Sequence, residues 1–149
     1  MDNRINVRVR IVIIKNEKLL TEYNKNQDMY FYVGGHVEYG ETVGEACNRE
    51  IAEECDGAKF TFKKILYIRD FILAEENEHS LELFILGDID KDNELEHLLD
   101  QQHEDNSHWI TWLDMNSLPK NLLPDKLTPM LLKDYKEGFT VEGKYIGLI

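Results

Sequence analysis

One short stretch of the chain places a pair of glycines directly before an acidic segment with helical spacing. At Gly34 and Gly35 the absent side chains permit positive φ angles and let a ligand approach the backbone. Thr42 and Glu45 have the T-x-x-E spacing of a capping box, which predicts a helix that begins near Val43. A glycine turn that leads straight into a helix is therefore the strongest local constraint on the fold.

The predicted helix carries three carboxylates on one face. Glu50, Glu53 and Glu54 fall within an arc of about 100°, because residues three and four positions apart share a helix face. An adjacent apolar stripe would dock the helix on a hydrophobic core, and its members are Gly44, Cys47, Ile51 and Cys55. The carboxylates would then be held at the rim of the core and directed into one small volume.

Two interpretations fit this acidic face. Like charges at such spacing repel, and a hard divalent cation would relieve the repulsion. Mg²⁺ prefers oxygen ligands and is usually bound by one or two carboxylates together with substrate phosphates. The alternative is a solvated acidic surface, in a chain with 29 Asp and Glu among 149 residues.

Seven residues stand in register with the pattern G-x5-E-x7-R-E-U-x-E-E-x-G-U, where U is a bulky aliphatic residue: Gly35, Glu41, Arg49, Glu50, Ile51, Glu53 and Glu54. By these residues the chain resembles the Nudix hydrolase family and its MutT-like members. It departs at the end of the pattern, where Asp56 replaces the second glycine and Gly57 the last aliphatic residue. A glycine one residue late can still end the helix in a left-handed cap.

The resemblance implies an α/β fold of the Nudix type, an α/β/α sandwich with a mixed β-sheet. It also implies a pyrophosphohydrolase that uses Mg²⁺, with Mn²⁺ as an alternative, and that attacks a pyrophosphate bond with water. The substrate would be a nucleoside diphosphate linked to another group, such as a nucleoside triphosphate, a damaged nucleotide, a nucleotide sugar or a dinucleotide. The alternatives are a domain of the same fold that senses a nucleotide without hydrolysing it, and an acidic structural domain.

The resemblance also assigns roles to residues. The family's usual metal ligands correspond to Glu50, Glu53 and Glu54. The carbonyl of Gly35 would complete the metal's octahedron. Arg49 and Glu41 would orient the crowded carboxylates, because an arginine fork can hold a carboxylate bidentately. We therefore expect Glu53, Glu50, Arg49 and Glu41 to carry catalysis.

The general base has two candidates. In similar enzymes it is a glutamate of the signature helix or an acid on a later loop just before a strand. Glu53 fits the first option, and Glu104, five residues before Trp109, fits the second. Glu38, in the loop before the helix, could reach metal-bound water. For Glu38 and Glu104 the alternative is a solvated side chain.

Substrate recognition needs a surface for a base or sugar and donors for phosphates. The candidate donors are Arg8, Arg10 and Arg69, and the candidate stacking surfaces are Tyr30, Tyr32, Phe71 and Phe84. Arg8 and Arg10 share the polar face of the first strand, which allows a two-pronged phosphate contact. Alternatively these aromatics belong to the core and the arginine face is only hydrated.

Apolar patterns predict strands over residues 5–13, 18–23, 30–33, 60–70, 80–89 and 109–113, with a final strand within 141–149. We expect a loop or frayed helix over 91–107 and a short helical turn over 114–118. Thr128 as N-cap and Pro129 as first helical residue predict a second helix. We therefore expect one Nudix domain spanning residues 1–149.

The charge of the chain limits its partners. The formal net charge is −12 and the pI is about 4.8. Such a surface repels phosphate backbones and anionic lipid, so we expect a small nucleotide partner, no nucleic-acid polymer and no membrane. The lack of a long apolar run or signal peptide predicts a cytoplasmic location, and the resemblance allows a homodimer. Cys47 and Cys55 lie about 12 Å apart along one helix, too far to pair, and are expected in the core.

Overall fold

The computed structural model describes residues 3–149. Two α-helices are present in this range, α1 (Val43–Glu54) and α2 (Leu127–Lys136). The strands are β1 (Asn6–Val12), β2 (Ile14–Lys15), β3 (Lys18–Asn24), β4 (Met29–His36), β5 (Phe60–Leu73), β6 (Glu78–Ile89), β7 (His108–Asp114), β8 (Leu122–Leu123) and β9 (Lys144–Gly147). Short 3-10 turns cover Ala74–Glu76 and Asn93–Leu95.

The strands form a mixed sheet in the order β2-β3-β4-β1-β6-β5-β9, with β7 paired to β3 and β8 paired to β4. The pairs β1–β6, β4–β8 and β5–β9 are parallel, and the remaining pairs are antiparallel. This mixed sheet with two helices confirms the predicted α/β/α sandwich.

Strand β1 separates two hydrophobic cores. Val9 and Ile11 are buried in a core that includes α1, whereas Val12 is buried in a second core that includes α2. Because alternate residues of a strand point to opposite faces, the two helices cover opposite faces of the sheet. Arg8 and Arg10 share the alternation of Val12, so they lie on the face that α2 covers.

Helix α1 begins and ends as its sequence predicts. Glu45 N–H donates to Thr42 Oγ1 at 3.1 Å, and Thr42 N–H donates to the Glu45 carboxylate at 3.1 Å, which completes the capping box. At the other end Asp56 and Gly57 both have positive φ, 50° and 74°. Gly57 N–H donates to the Ala52 carbonyl at 2.8 Å. The displaced glycine therefore still closes the helix through a left-handed exit.

The start of α2 differs from the prediction. The helix begins at Leu127, one residue before Thr128, and Pro129 is its third residue. Leu127 N–H donates to the Pro124 carbonyl at 3.1 Å, and Thr128 N–H donates to the Asp125 carbonyl at 3.3 Å. Backbone carbonyls of the preceding turn thus satisfy these amides, and no side-chain cap is required.

One other local prediction needs correction, and two short strands were not predicted. Residues 114–118 form a turn without a helix, since Asp114 Oδ1 accepts from Asn116 N–H at 2.9 Å and competes with helical bonding. The strands β2 and β8 contain two residues each, too few to show the apolar–polar alternation by which a strand is predicted from sequence. Residues 91–107 form an irregular loop with one 3-10 turn. None of the helices within residues 3–149 is long and apolar enough to cross a membrane.

The burial of Cys47 and Cys55 gives a testable property of the fold. Both side chains are fully buried and unpaired, and burial raises the pKa of each thiol to about 12. Because the thiolate is the reactive form, we expect neither cysteine to react with an alkylating reagent at pH 8 in the folded protein. Mass spectrometry should show two modified thiols only in denaturant; rapid labelling of either residue in native buffer would contradict this packing.

Candidate active site

The guanidinium of Arg49 joins α1 to the loop that precedes it. Its Nε and Nη2 atoms donate to the two carboxylate oxygens of Glu41 at 2.7 and 3.0 Å. This bidentate contact lowers the pKa of Glu41 to about 2. Nη2 also donates to the His36 carbonyl at 2.9 Å. One side chain therefore fixes both the course of the loop and its distance from the helix.

The same guanidinium orients two further carboxylates. Arg49 Nη1 donates to Glu50 Oε1 at 2.9 Å and to Glu53 Oε2 at 3.3 Å. A single positive charge thus faces three carboxylates, those of Glu41, Glu50 and Glu53. The residual negative charge remains at the helix face, where it can attract a cation.

The adjacent glycines serve different purposes. A Cβ atom on Gly35 would lie 2.4 Å from Glu50 Oε1, so a side chain there would displace that carboxylate from its present position. Gly34 has a φ of 141°, and a Cβ atom there would lie 2.0 Å from the Val9 carbonyl oxygen. Gly34 N–H donates to Glu54 Oε2 at 3.0 Å. Gly34 therefore lets β4 lie close against β1, and Gly35 lets it approach the Glu50 carboxylate of α1.

The carboxylate of Glu54 is partly buried and poorly compensated. Burial raises its pKa well above the ordinary range, and the charges of Glu22 and Glu50 raise it further. Burial also raises the pKa of Glu50. Glu53, whose side chain is 45% exposed, projects toward solvent. In the described part of the chain, the Gly34 amide supplies the one hydrogen bond that Glu54 accepts.

These groups border a cavity of about 390 Å³ at the ends of β4 and α1; it is lined by Gly34, Gly35, His36, Glu38, Arg49, Glu50, Glu53, Glu54 and Gln102. A carboxylate with few hydrogen bonds and two acidic neighbours is a suitable ligand for a hard divalent cation. The donor set of Glu50, Glu53 and Glu54 therefore fits magnesium. Ligation by the Gly35 carbonyl stays a prediction.

The two more distant acids take different positions. Glu38 is 67% exposed, with its carboxylate 3.8 Å from Arg49 Nη1, and it lines the cavity. Glu104 is exposed on the loop before β7 and is not among the residues that line the cavity, whereas Gln102 of the same loop is. The structure thus brings Glu38 to the site and leaves Glu104 outside it.

A second cavity, of about 250 Å³, lies on the α2 face of the sheet and contains the predicted phosphate donors. Arg8 and Arg69 occupy register positions on either side of Glu82, on β1 and β5. Arg69 Nη1 lies 2.5 Å from Glu82 Oε1, and Arg10 Nε lies 3.2 Å from Glu82 Oε2. Glu82 is only 1% exposed, and its carboxylate forms ion pairs with Arg8, Arg10 and Arg69. One negative charge cannot neutralise three guanidinium groups, so the cluster keeps a net positive charge.

The predicted stacking residues separate into two groups. Phe71 lines the second cavity, with its ring centroid 5.9 Å from the Arg8 guanidinium carbon and 5.1 Å from that of Arg69. Tyr32 also borders this cavity but is only 2% exposed and packs edge-on against buried Phe84. Tyr30 contacts the ring of Tyr23. Phe71 is therefore the predicted aromatic best placed to meet a ligand.

Sequence reasoning did not identify several residues of these sites. Glu82 and Gln102 lack a local motif, because their roles arise from strand register and loop placement. His36, whose side chain is 49% exposed, accepts from Arg8 Nη2 at 2.9 Å through its Nε2 atom. Since His36 also borders the acidic cavity, this contact links the two cavities.

A family model described as the NUDIX domain matches residues 4–131. This match covers most of the chain, which therefore belongs to the NUDIX family, as the signature indicated. No curated protein matched the sequence. The expected enzyme class, a Nudix-type pyrophosphohydrolase, agrees with the family match.

Three solved structures illustrate the similarity. A UDP-X diphosphatase aligns over 95% of this chain and 66% of its own, with 21% identity and a TM-score of 0.68. This chain thus spans about two thirds of that protein. A MutT NUDIX hydrolase from Burkholderia pseudomallei aligns over 87% of this chain and 97% of its own, with 22% identity and a TM-score of 0.64. An ADP-ribose pyrophosphatase from Streptococcus suis aligns over 96% and 100%, with 16% identity and a TM-score of 0.64. At these identities the likeness shows the shared fold.

The crowded carboxylates predict an effect of Glu54→Gln on stability. Glutamine can still accept the Gly34 hydrogen bond but carries no charge. At pH 8 without divalent ions we expect the free energy of unfolding of Glu54→Gln to exceed that of the wild type by on the order of 1 kcal/mol, which raises the melting temperature by about 2–4 °C. The gain should vanish below pH 4, since Glu54 is then protonated in both folded and unfolded states.

Differential scanning fluorimetry with and without Mg²⁺ measures this effect. Mg²⁺ should raise the Tm of the wild type by binding the folded state, and should raise that of Glu54→Gln less. Glu142→Gln, an exposed change in the C-terminal segment, serves as the control and should match the wild type. Equal Mg²⁺ responses in all three proteins would argue against a cation at Glu54.

Proposed function

We propose that this protein is a divalent-cation-dependent hydrolase of compounds that contain a nucleoside diphosphate linked to another group. Water would attack one phosphorus of the pyrophosphate bond and release a phosphorylated product. The observation that carries this proposal is the convergence of Glu50, Glu53 and Glu54 on one cavity, beside a second cavity with three arginines.

The acidic cavity supplies the place for metal-assisted hydrolysis. Glu50, Glu53 and Glu54 would hold Mg²⁺, with Mn²⁺ as an alternative. When bound, such an ion neutralises phosphate charge and lowers the pKa of water. Arg49 keeps Glu50 and Glu53 at fixed positions, and Glu41 keeps Arg49 in place through its bidentate contact. Preorganised carboxylates bind a cation without a further cost of ordering their side chains.

We assign Glu53 as the general base. Its carboxylate is 45% exposed, compared with 12% for Glu50, so it has the better access to an incoming water molecule. A base must lie within hydrogen-bond reach of the proton that it removes. Glu38, also exposed at the cavity rim, would position that water, and the outlying Glu104 takes no part.

The second cavity would bind the nucleotide's phosphates and base. Arg8, Arg10 and Arg69 provide donors that match phosphate oxygens, and Phe71 provides a flat face beside them. The Arg8–His36 contact places these donors next to the acidic cavity. A substrate that reaches both cavities would meet positive charge at one end and bound cations at the other.

We also propose that residues 1–149 act as one Nudix domain. Helix α2 and C-terminal residues Val141, Ile146 and Ile149 pack on the second core, which supports their inclusion. A cytoplasmic location, the lack of a nucleic-acid polymer as partner and a homodimeric state stay predictions from the sequence.

The direct test is a panel of nucleoside triphosphates, nucleotide sugars and dinucleotides incubated with Mg²⁺, with phosphate and nucleotide products measured by chromatography. We expect turnover of at least one class, and loss of turnover in EDTA. Tight nucleotide binding by calorimetry with no product over hours would instead favour the nucleotide-sensing alternative.

Glu53→Gln should lower kcat by about 10²–10⁴-fold, since it removes both a proton acceptor and a metal ligand. The exposed position of Glu53 predicts an unchanged melting curve. Asn48→Ala, on the exposed side of the same helix, is the matched control and should retain full turnover. Wild-type kcat in Glu53→Gln would remove Glu53 from the mechanism.

Phe71→Leu should raise KM about 10-fold and leave kcat nearly unchanged, because the ring would contact substrate equally in the ground and transition states. Phe62→Leu on the same strand is the control, since Phe62 is 42% exposed and does not line the arginine cavity. Steady-state kinetics on the substrate found in the panel measure both constants. An equal KM in the two variants would exclude Phe71 from substrate binding.

A further inference from the structure

Three side chains outside the signature helix form a separate cluster of metal-ligating groups. Glu22 of β3, His103 of the loop before β7 and His108 at the start of β7 each offer one ligand atom, and these atoms lie within 4.8 Å of one another. Neither histidine is required by the proposed hydrolysis. The cluster therefore needs an explanation of its own.

The hydrogen bonds of His103 determine which of its nitrogens is available. Nδ1 lies 2.9 Å from Asp100 Oδ2. A carboxylate only accepts hydrogen bonds, so Nδ1 must carry the proton. The Nε2 atom of the neutral ring then has a free lone pair.

The same tautomer follows for His108 by a different route. Ser107 Oγ donates its proton to Asp105 Oδ1 at 2.5 Å, and lies 2.7 Å from His108 Nδ1. Because the serine proton is already engaged, Ser107 Oγ accepts from Nδ1–H of His108. The Nε2 atom of His108 therefore also has a free lone pair.

The backbone holds the three side chains together. In the β3–β7 pairing, Asn24 lies opposite His108 and Glu22 opposite Ile110, so Glu22 and His108 are diagonal neighbours on one face. Asp100 N–H donates to the His108 carbonyl at 2.9 Å, which closes a hairpin over residues 100–108. The rings of His103 and His108 stack with centroids 3.6 Å apart.

We propose that Glu22, His103 and His108 form a second metal site, which binds a divalent transition ion such as Zn²⁺ and is distinct from the magnesium site of the signature helix. Two imidazoles with one carboxylate are a common ligand set for zinc and related ions, whereas magnesium prefers oxygen alone. Metal-bound histidines usually donate their other N–H to a carboxylate or another acceptor. Asp100 and the Ser107–Asp105 pair fill that outer position here.

The proposed zinc site lies next to the acidic cavity, so a bound zinc ion would affect residues that line that cavity. Glu22 borders a small space of about 70 Å³ together with Glu53 and Glu54. A bound ion would tie the 100–108 hairpin to β3, and the hairpin carries Gln102, which lines the acidic cavity. Zinc binding should therefore slow amide hydrogen exchange in the hairpin over residues 100–108.

Isothermal titration of the full chain with Zn²⁺, in the presence of excess Mg²⁺, tests the site directly. We expect one zinc ion per chain to bind with high affinity. His103→Ala and His108→Ala should each weaken zinc binding by more than the roughly 10–100-fold that loss of an outer partner costs. His97→Ala, a neighbouring exposed histidine outside the cluster, should bind zinc like the wild type.

A second measurement separates this site from the signature helix and from failed folding. Glu53→Gln should retain the high-affinity zinc site, and the ring resonances of His103 and His108 should shift on zinc addition to the wild type. Melting curves without zinc establish that each variant folds. Equal zinc affinity in the wild type and the double variant His103→Ala/His108→Ala would overturn the proposal, as would unshifted histidine resonances.

Discussion

The contact between Arg49 and the surrounding carboxylates organises this molecule's acidic site. Glu41, Glu50 and Glu53 all accept from one guanidinium, which also donates to the His36 carbonyl. Glu50 and Glu53, three residues apart on α1, would otherwise repel each other and Glu41 of the preceding loop, and the loop between β4 and α1 would lack an anchor. Lysine cannot replace this set of contacts, because its ammonium lacks the planar fork.

Burial and charge divide the site into two unlike cavities. On the α1 side, acidic groups outnumber their single arginine and favour a cation. On the α2 side, three arginines surround buried Glu82 and retain positive charge, although the whole chain has a net charge of −12. Strand β4 supplies residues to both cavities, whereas β1 supplies Arg8 and Arg10 to the arginine cavity alone. Because Arg8 donates to His36 of the acidic cavity, the two cavities are adjacent and differ in the sign of their charge.

Local features of this fold are predictable from sequence, and features set by long-range pairing are not. The capping box of Thr42, the shared face of the helix glutamates and the glycine exit depend on neighbours within a few residues, and each occurs as expected. The position of Glu82 between Arg8 and Arg69 depends on strand register, which no local pattern specifies. The cluster of Glu22 with His103 and His108 likewise requires β3 to pair with β7.

Glu50, Glu53 and Glu54 of α1 differ in environment although they share one helix face. Glu50 is held by Arg49 and by the space that Gly35 leaves, and Glu54 is fixed from below by the Gly34 amide. Glu53 keeps the longest contact with Arg49, 3.3 Å, and the greatest exposure. The carboxylates of Glu50 and Glu54 are thus held more rigidly than that of Glu53. Glu53 is held less tightly and is more exposed, so it keeps more freedom of movement than its two neighbours. This difference between chemically identical side chains is the basis for the additional role of general base that we propose for Glu53.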